Sequence, residues 1–354
     1  MDGNFLINRF EQEFVKHRNF SLCERAIFNH LSMLLPGEVL TIVGPSRVGK
    51  TSAVRAALAA VCGYDTREPG GPCVWIIDSN NREGGWLSTR AFYLEACRAV
   101  GHAIYGAPAD DETKLGANFN ARINRTSEPV IRSAFEEILI KRKVRYLVID
   151  EAHHVMYARG GDAASARILD SWKCLAEKTG VVLILTGTYQ LLYLTSLAPH
   201  FVGRQTVVEF RNYGVAREGD LAAFQAILTY YSKWVPIEPG TKSLAKWGQL
   251  LFEGSHGCVG LLSRWLRRSL ARAAINGKSY ISEEDLHSEA DIPIHYKRLS
   301  DDIELGDELM RGDDGDVAAT ISENASTGSS RKKVGGRRRP FARASKRTPH
   351  DSRS

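Results

Sequence analysis

The eight residues Gly44-Pro45-Ser46-Arg47-Val48-Gly49-Lys50-Thr51 fit the pattern G-x-x-x-x-G-K-[ST]. Their neighbours decide what the pattern can mean. Val39-Leu40-Thr41-Ile42-Val43 reads as a buried strand, and the alanine-rich run Ser52 to Val61 reads as a helix. A strand that turns through glycines into a helix makes backbone N–H groups converge where the helix dipole favours an anion. The spacing therefore predicts a phosphate cradle built from Gly44, Pro45, Ser46, Arg47, Val48, Gly49, Lys50, Thr51 and Ser52. In it Lys50 is a point charge for β- and γ-phosphates, and the Thr51 hydroxyl is a ligand for Mg²⁺.

Such a cradle needs a metal-facing carboxylate on a neighbouring strand. Tyr146-Leu147-Val148-Ile149-Asp150-Glu151 runs four apolar residues into two acids, at the strand end where open α/β sheets bind ligands. Asp150 is the predicted Mg²⁺ residue, and Glu151 the general base that polarises the attacking water. A further strand, Val181 to Leu185, ends in Thr186-Gly187-Thr188. Thr188 is the first choice for a polar sensor of the γ-phosphate, with Thr186 the fallback. Asp150-Glu151-Ala152-His153 has the letters of a DEAH-class helicase, but a second RecA-like domain is missing. The strand Val74-Trp75-Ile76-Ile77-Asp78 lies between the two motifs, and this insertion fits P-loop proteins that use a catalytic glutamate. His153 and His154 lack partners at metal-binding spacing, so zinc is not expected.

Strands alternating with helices, over 52–62 and about 87–100, 129–142, 163–178 and 189–197, predict a parallel sheet with right-handed crossovers. The expected class is α/β: a P-loop fold with a small all-helical lid and a disordered C-terminal tail. The expected boundaries are a helical segment over 1–37, the nucleotide-binding domain over 38–212, the lid over 213–295 and the tail over 296–354. The lid helices fall near 218–232, 242–253, 258–276 and 282–289, with Ser282 and Asp285 as a capping box. Polar, glycine-bearing loops are expected over 79–86 and 101–127.

Charge is unevenly spread. The chain of 354 residues carries +6, but residues 1–282 hold 34 basic against 26 acidic groups. Residues 283–316 hold 13 acids against 3 bases, and 325–354 hold 10 bases against 1 acid. A basic folded part points toward nucleic acid rather than acidic small molecules. The Ser/Gly/Arg-rich end has too few apolar residues to fold alone, and it suits either DNA or an acidic patch on a partner. No apolar run approaches the ~20 residues that cross a bilayer, and the N-terminus lacks the features of a signal peptide. The six cysteines are widely spaced, as in reduced intracellular proteins. A cytoplasmic, DNA-associated protein with no membrane partner is expected.

The phosphate loop, the Asp150-Glu151 strand end, a polar sensor and a helical lid together resemble an AAA+ ATPase. Leu147 to His154, followed by Leu185-Thr186-Gly187-Thr188 and by Ser255-His256-Gly257-Cys258-Val259-Gly260-Leu261-Leu262, resembles the TnsC/TniB group of transposition regulators, with MuB more distant. The resemblance covers roughly residues 5–290. It implies ATP and Mg²⁺ as cofactors and head-to-tail assembly, as a ring or helical filament, on double-stranded DNA. It also implies a link between a target-selection protein (TniQ-like) and a transposase (TnsB-like), with hydrolysis driving disassembly. An arginine reaching a neighbour's γ-phosphate is implied as well; Arg204 is the candidate and Arg211 the weaker one. Many such lids carry a G-x-x-R sensor, but Gly257-Cys258-Val259-Gly260 puts glycine there, and Arg264 is the candidate substitute.

In such assemblies the loops after the second strand and before the acidic strand face the DNA. Phosphate contacts, largely indifferent to sequence, are therefore expected from Arg82, Arg90, Lys114, Arg122 and Arg125. The competing reading is a signalling or scaffold ATPase that switches protein assembly without DNA. An initiator would carry a winged-helix domain after the lid, and residues 290–354 are too polar for one.

Overall fold

The fold is described from a computed structural model, which defines residues 14–63, 71–77, 82–83, 86–106, 114–201 and 203–311. Its centre is a parallel sheet of five strands: β1 (Val39–Val43), β2 (Cys73–Ile77), β5 (Tyr146–Asp150), β6 (Val182–Gly187) and β7 (Gln205–Glu209). The order across the sheet is β2-β5-β6-β1-β7. β1 and β5 are buried along their whole length, as expected of central parallel strands covered on both faces. The strand expected near 181–185 extends to Gly187, and β6 lies between the phosphate-loop strand and the acidic strand.

Helix α1 (Arg18–Met33) buries Phe20, Cys23, Ile27 and Leu31 at helical spacing. This stripe packs on α2 (Lys50–Cys62), whose buried face is Ala53, Val54, Ala57 and Leu58. The small alanines let α2 lie close to the sheet, and the two helices share one core with β1, β5 and β6. Around the rest of the sheet run α3 (Thr89–Ala99), α4 (Lys114–Arg125), α5 (Glu128–Lys141), α6 (Asp162–Thr179) and α7 (Gln190–Ser196).

A second core holds the C-terminal helices α8 (Asp220–Tyr231), α9 (Gly248–Ser255), α10 (Val259–Ile275) and α11 (Glu283–Ser288). Phe224, Leu228, Trp247, Leu251, Leu262 and Trp265 fill it. The capping box of Ser282 and Asp285 forms as expected. Tyr213 joins the two parts. Its ring belongs to the lid core, its hydroxyl lies 3.0 Å from His17 Nδ1, and its carbonyl leaves no room for a side chain at Gly257.

Three segments depart from expectation. The loop over 79–86 contains a short antiparallel pair, β3 (Arg82–Glu83) and β4 (Trp86–Leu87). The loop over 101–127 contains α4. Its C-terminal carbonyls at Ile123, Asn124 and Thr126 accept hydrogen bonds from the distant Arg90 guanidinium, a cap that no local pattern reveals. The tail expected from 296 is instead helix α12 (Pro293–Arg311). Pro293 opens it, with φ already suited to a helix start. Residues 312–354 lie outside the described residues, as do Phe5 and Phe10 of the N-terminal segment.

Candidate active site

The site forms at the carboxyl end of the sheet, where β1 turns into α2. Gly44 is required because a Cβ there would lie 2.2 Å from the Phe210 carbonyl oxygen. Gly49 precedes α2 with φ +113° and offers no side-chain cap. The first N–H groups of α2 therefore keep no internal partner and face the cradle. Lys50 Nζ donates to the carbonyls of Gly44 and Pro45, each at 2.8 Å. Burial pulls its pKa down, while the carboxylates of Glu151, Asp302 and Asp150 push it up.

Sheet register brings the acids to the loop. Ile149 pairs with Leu185 in the parallel β5/β6 ladder, so Asp150 stands opposite Thr186. Thr186 donates from its hydroxyl to Asp150 Oδ1, and Thr51 donates to Asp150 Oδ2 at 2.8 Å. A threonine hydroxyl paired with a carboxylate is the oxygen donor set that Mg²⁺ takes. Glu151 follows in the left-handed region with φ +55°, which turns its side chain away from Asp150's hydrogen-bond set. Burial raises its pKa, and Lys50 opposes that rise. His153 Nδ1 lies 3.4 Å from Glu151 Oε2 and 3.4 Å from the Thr188 backbone nitrogen. One ligand atom each of Glu151, His153 and His154 thus lies within 4.8 Å of the others, so the two histidines have the neighbouring acid as a companion that their spacing alone did not suggest.

Thr188 and Thr186 part company here. Thr186 is fully buried on Asp150, whereas the Thr188 hydroxyl has no hydrogen-bond partner. Thr188 lines a cavity of about 370 Å³ together with Ser46, Arg47 and Arg264. Arg264 on α10 thus reaches the phosphate-loop side of the lid. The glycine in place of the lid arginine has a steric reason: a Cβ at Gly260 would lie 2.1 Å from the Arg47 carbonyl oxygen.

Arg204 precedes β7 at the amino end of the sheet and pairs with Glu177. One strand of five residues, about 17 Å, separates that end from its own phosphate loop. Arg211 lies beyond the other end of β7 and pairs with Glu209. Of the expected DNA residues, Arg122 and Arg125 are exposed one turn apart on α4, and Lys114 opens that helix. Arg82 lies in β3. Arg90 instead spends its donors on the α4 carbonyls, so its charge positions α4. Asp302 and Arg298, both on α12, line the same cavity as Thr188; the expectation of a structureless tail hid them.

Residues 36–194, just under half of the chain, match the AAA domain family. The segment is similar to an AAA domain, the fold is the P-loop AAA fold, and the protein is an ATPase. Similar solved structures include Cdc6p from Pyrobaculum aerophilum, 19% identical, with TM-score 0.51 over 80% of this chain and 69% of that one. ORC2 from Aeropyrum pernix is 13% identical, with TM-score 0.50 over 92% and 85%. The Walker-type ATPase PABY2304 of Pyrococcus abyssi is 13% identical, with TM-score 0.49 over 86% and 79%. At such identities the likeness is one of fold. No curated protein matches the sequence. Among the described residues no helix is long and apolar enough to cross a membrane.

Proposed function

We propose that the protein is an ATP-dependent regulator of transposition that assembles head to tail on double-stranded DNA. It links a target-selection protein to a transposase and leaves the DNA on hydrolysis. The observation that carries the nucleotide part is the joining of Thr51 and Asp150 at 2.8 Å beside the uncapped start of α2. The DNA part is supported by the basic surplus of residues 1–282 and by Arg122 and Arg125 side by side on α4. The transposition part rests on the resemblance of the segments around Asp150, Thr186 and Gly257 to the TnsC/TniB group.

Each side chain then has a task. Thr51 and Asp150 would hold Mg²⁺, which when bound would supply neutralisation of phosphate charge. Lys50 leaves the Gly44 and Pro45 carbonyls for the phosphates. Glu151 accepts the proton of the water that attacks the γ-phosphorus, as the bond to the β-phosphate oxygen breaks. Thr188 and Arg264 orient the γ-phosphate from the sheet and from the lid. Arg204 serves a neighbouring subunit, since its own site is a strand length away. A non-closing head-to-tail contact generates a helix of subunits that can follow duplex DNA.

The test is electron microscopy of the full chain with a slowly hydrolysed ATP analogue, with and without duplex DNA. Ordered assemblies that require both support the proposal. Assemblies that need ATP but ignore DNA would select the protein-only switch instead. Lys50→Ala is expected to lose ATP binding and assembly, and Glu151→Gln to keep ATP bound and remain on DNA. With a limiting amount of hydrolysable ATP in place of the analogue, the parent is expected to leave the DNA as the ATP is consumed, and Glu151→Gln to stay.

A further inference from the structure

Helix α12 lies against the nucleotide site, and nothing in the ATPase cycle described above uses it. Among its described positions only Leu305 and Gly306 are buried. Leu305 is buried, and Gly306 packs so closely on the Tyr189 ring that a Cβ would lie 2.4 Å from it. Asp307 pairs with Arg217 at 3.3 Å, and the Tyr296 ring faces His256 at 5.8 Å between centroids. This seat places Asp302 in the cavity shared with Ser46, Arg47 and Thr188.

Both carboxylate oxygens of Asp302 are shielded from solvent and make no hydrogen bond. Beyond a loose approach by the Tyr189 backbone N–H, which favours the ionised form, the carboxylate has no donor. A buried carboxylate without donors is costly unless a cation offsets it, and the cation that acts on Asp302 is Lys50. In return, Asp302 raises the Lys50 pKa, as Glu151 and Asp150 do. Lys50 is the residue that must receive the phosphates. The acid therefore competes for the charge on which a γ-phosphate depends, in a cavity lined by the γ-phosphate sensor candidates Thr188 and Arg264.

We propose that Asp302 is an internal stand-in for the γ-phosphate: docked α12 makes the site discriminate against ATP relative to ADP, and ATP binding requires α12 to leave its seat. This inference rests on the nucleotide reading of the site and concerns its selectivity. A dianionic γ-phosphate and Asp302 repel each other across Lys50, whereas ADP leaves the γ-phosphate position free for the carboxylate. With only Leu305 and Gly306 buried among its described positions, α12 is a segment that can open separately from the rest of the fold. Arg298, on the same helix and lining the same cavity, departs with it.

The experiment uses the full chain with Mg²⁺ and titrates fluorescent ATP and ADP analogues against the parent, Asp302→Asn, Gly306→Leu and Lys50→Ala. Asp302→Asn is expected to bind the ATP analogue on the order of tenfold more tightly, within the usual range of coupling between linked equilibria, with ADP affinity little changed. Gly306→Leu, which pushes α12 off Tyr189, is expected to shift ATP affinity in the same direction; its melting curve shows whether the fold survives. Hydrogen exchange over 293–311 is expected to accelerate when the ATP analogue, but not ADP, is bound to the parent. If the parent binds ATP and Asp302→Asn binds it no more tightly, or less tightly, the inference is overturned while the nucleotide reading stands. Weaker ATP binding would mean that α12 is a clamp supplying Arg298. Failure of the parent to bind either nucleotide would instead remove the nucleotide reading itself.

Discussion

Asp150 shows how one side chain depends on two chain segments at once. Its two oxygens accept from Thr51 and Thr186, so its orientation is set before any metal arrives. Thr186→Val keeps shape but removes one donor. It is expected to lower stability by about 1–3 kcal/mol, the usual penalty for a buried acceptor left unpaired, and to raise the Mg²⁺ concentration needed for ATP hydrolysis; denaturant titration and a Mg²⁺ titration check both. His17 gives a second prediction. Burial lowers its pKa from 6.5 to about 4, while its Nδ1 accepts from the Phe20 N–H. A depressed folded pKa contributes stability that is complete above pH 6.5 and is lost as pH falls toward 4. The loss is on the order of 2–3 kcal/mol, so melting temperature should drop across that window and drop less in His17→Gln. Asp302 has the opposite sign, its pKa being raised to about 6. Asp302→Asn should melt above the parent at neutral pH, with the gap closing as pH falls toward 4.

Among the helices, α10 and α4 carry the sharpest expectations. Gly260 on α10 touches the Arg47 carbonyl so closely that any Cβ forces the lid outward. Gly260→Ala is expected to weaken ATP binding while leaving the lid core folded, which calorimetry and near-ultraviolet circular dichroism together would show. On α4, Arg122 and Arg125 are exposed and adjacent. Replacing both by Glu should weaken DNA binding across all sequences, and removing two phosphate contacts should flatten the log–log salt slope by about 1.8. A slope equal to that of the parent would place the DNA surface elsewhere. The helices expected near 52–62, 163–178 and 258–276 are the ones observed as α2, α6 and α10, because each writes its burial as a local apolar period. α4 and α12 were illegible for the converse reason. α4 is capped by Arg90 from another helix, and α12 gains its few buried positions only against α7 and the lid.

For the whole molecule, the decisive geometry is the separation of Arg204 from its own phosphate loop. If Arg204 acts across a subunit boundary, ATPase activity per chain should rise with protein concentration. Arg204→Ala and Glu151→Gln should each be inactive alone, yet their mixture should recover part of the rate, since mixed boundaries unite an intact base with an intact arginine. No recovery, with assembly intact, would confine Arg204 to its pairing with Glu177.

Sequence alone was enough to place the cradle and the acids, because each is a contiguous signal: a glycine turn between apolar strand and helix, and two acids ending a second strand. The strand it offered as the insertion, β2, instead lies at the sheet edge, and β6 takes the place between them. Sequence ranked Thr188 ahead of Thr186 without a geometric reason and assigned no role to Asp302. Those matters were decided in three dimensions. The β5/β6 register aims Thr186 at Asp150 and frees Thr188 for the cavity. The docking of α12 brings an acid, Asp302, into the cavity beside the phosphate loop. The physical reason is common to both: a parallel sheet and a returning helix join residues whose separation along the chain carries no local trace of their meeting.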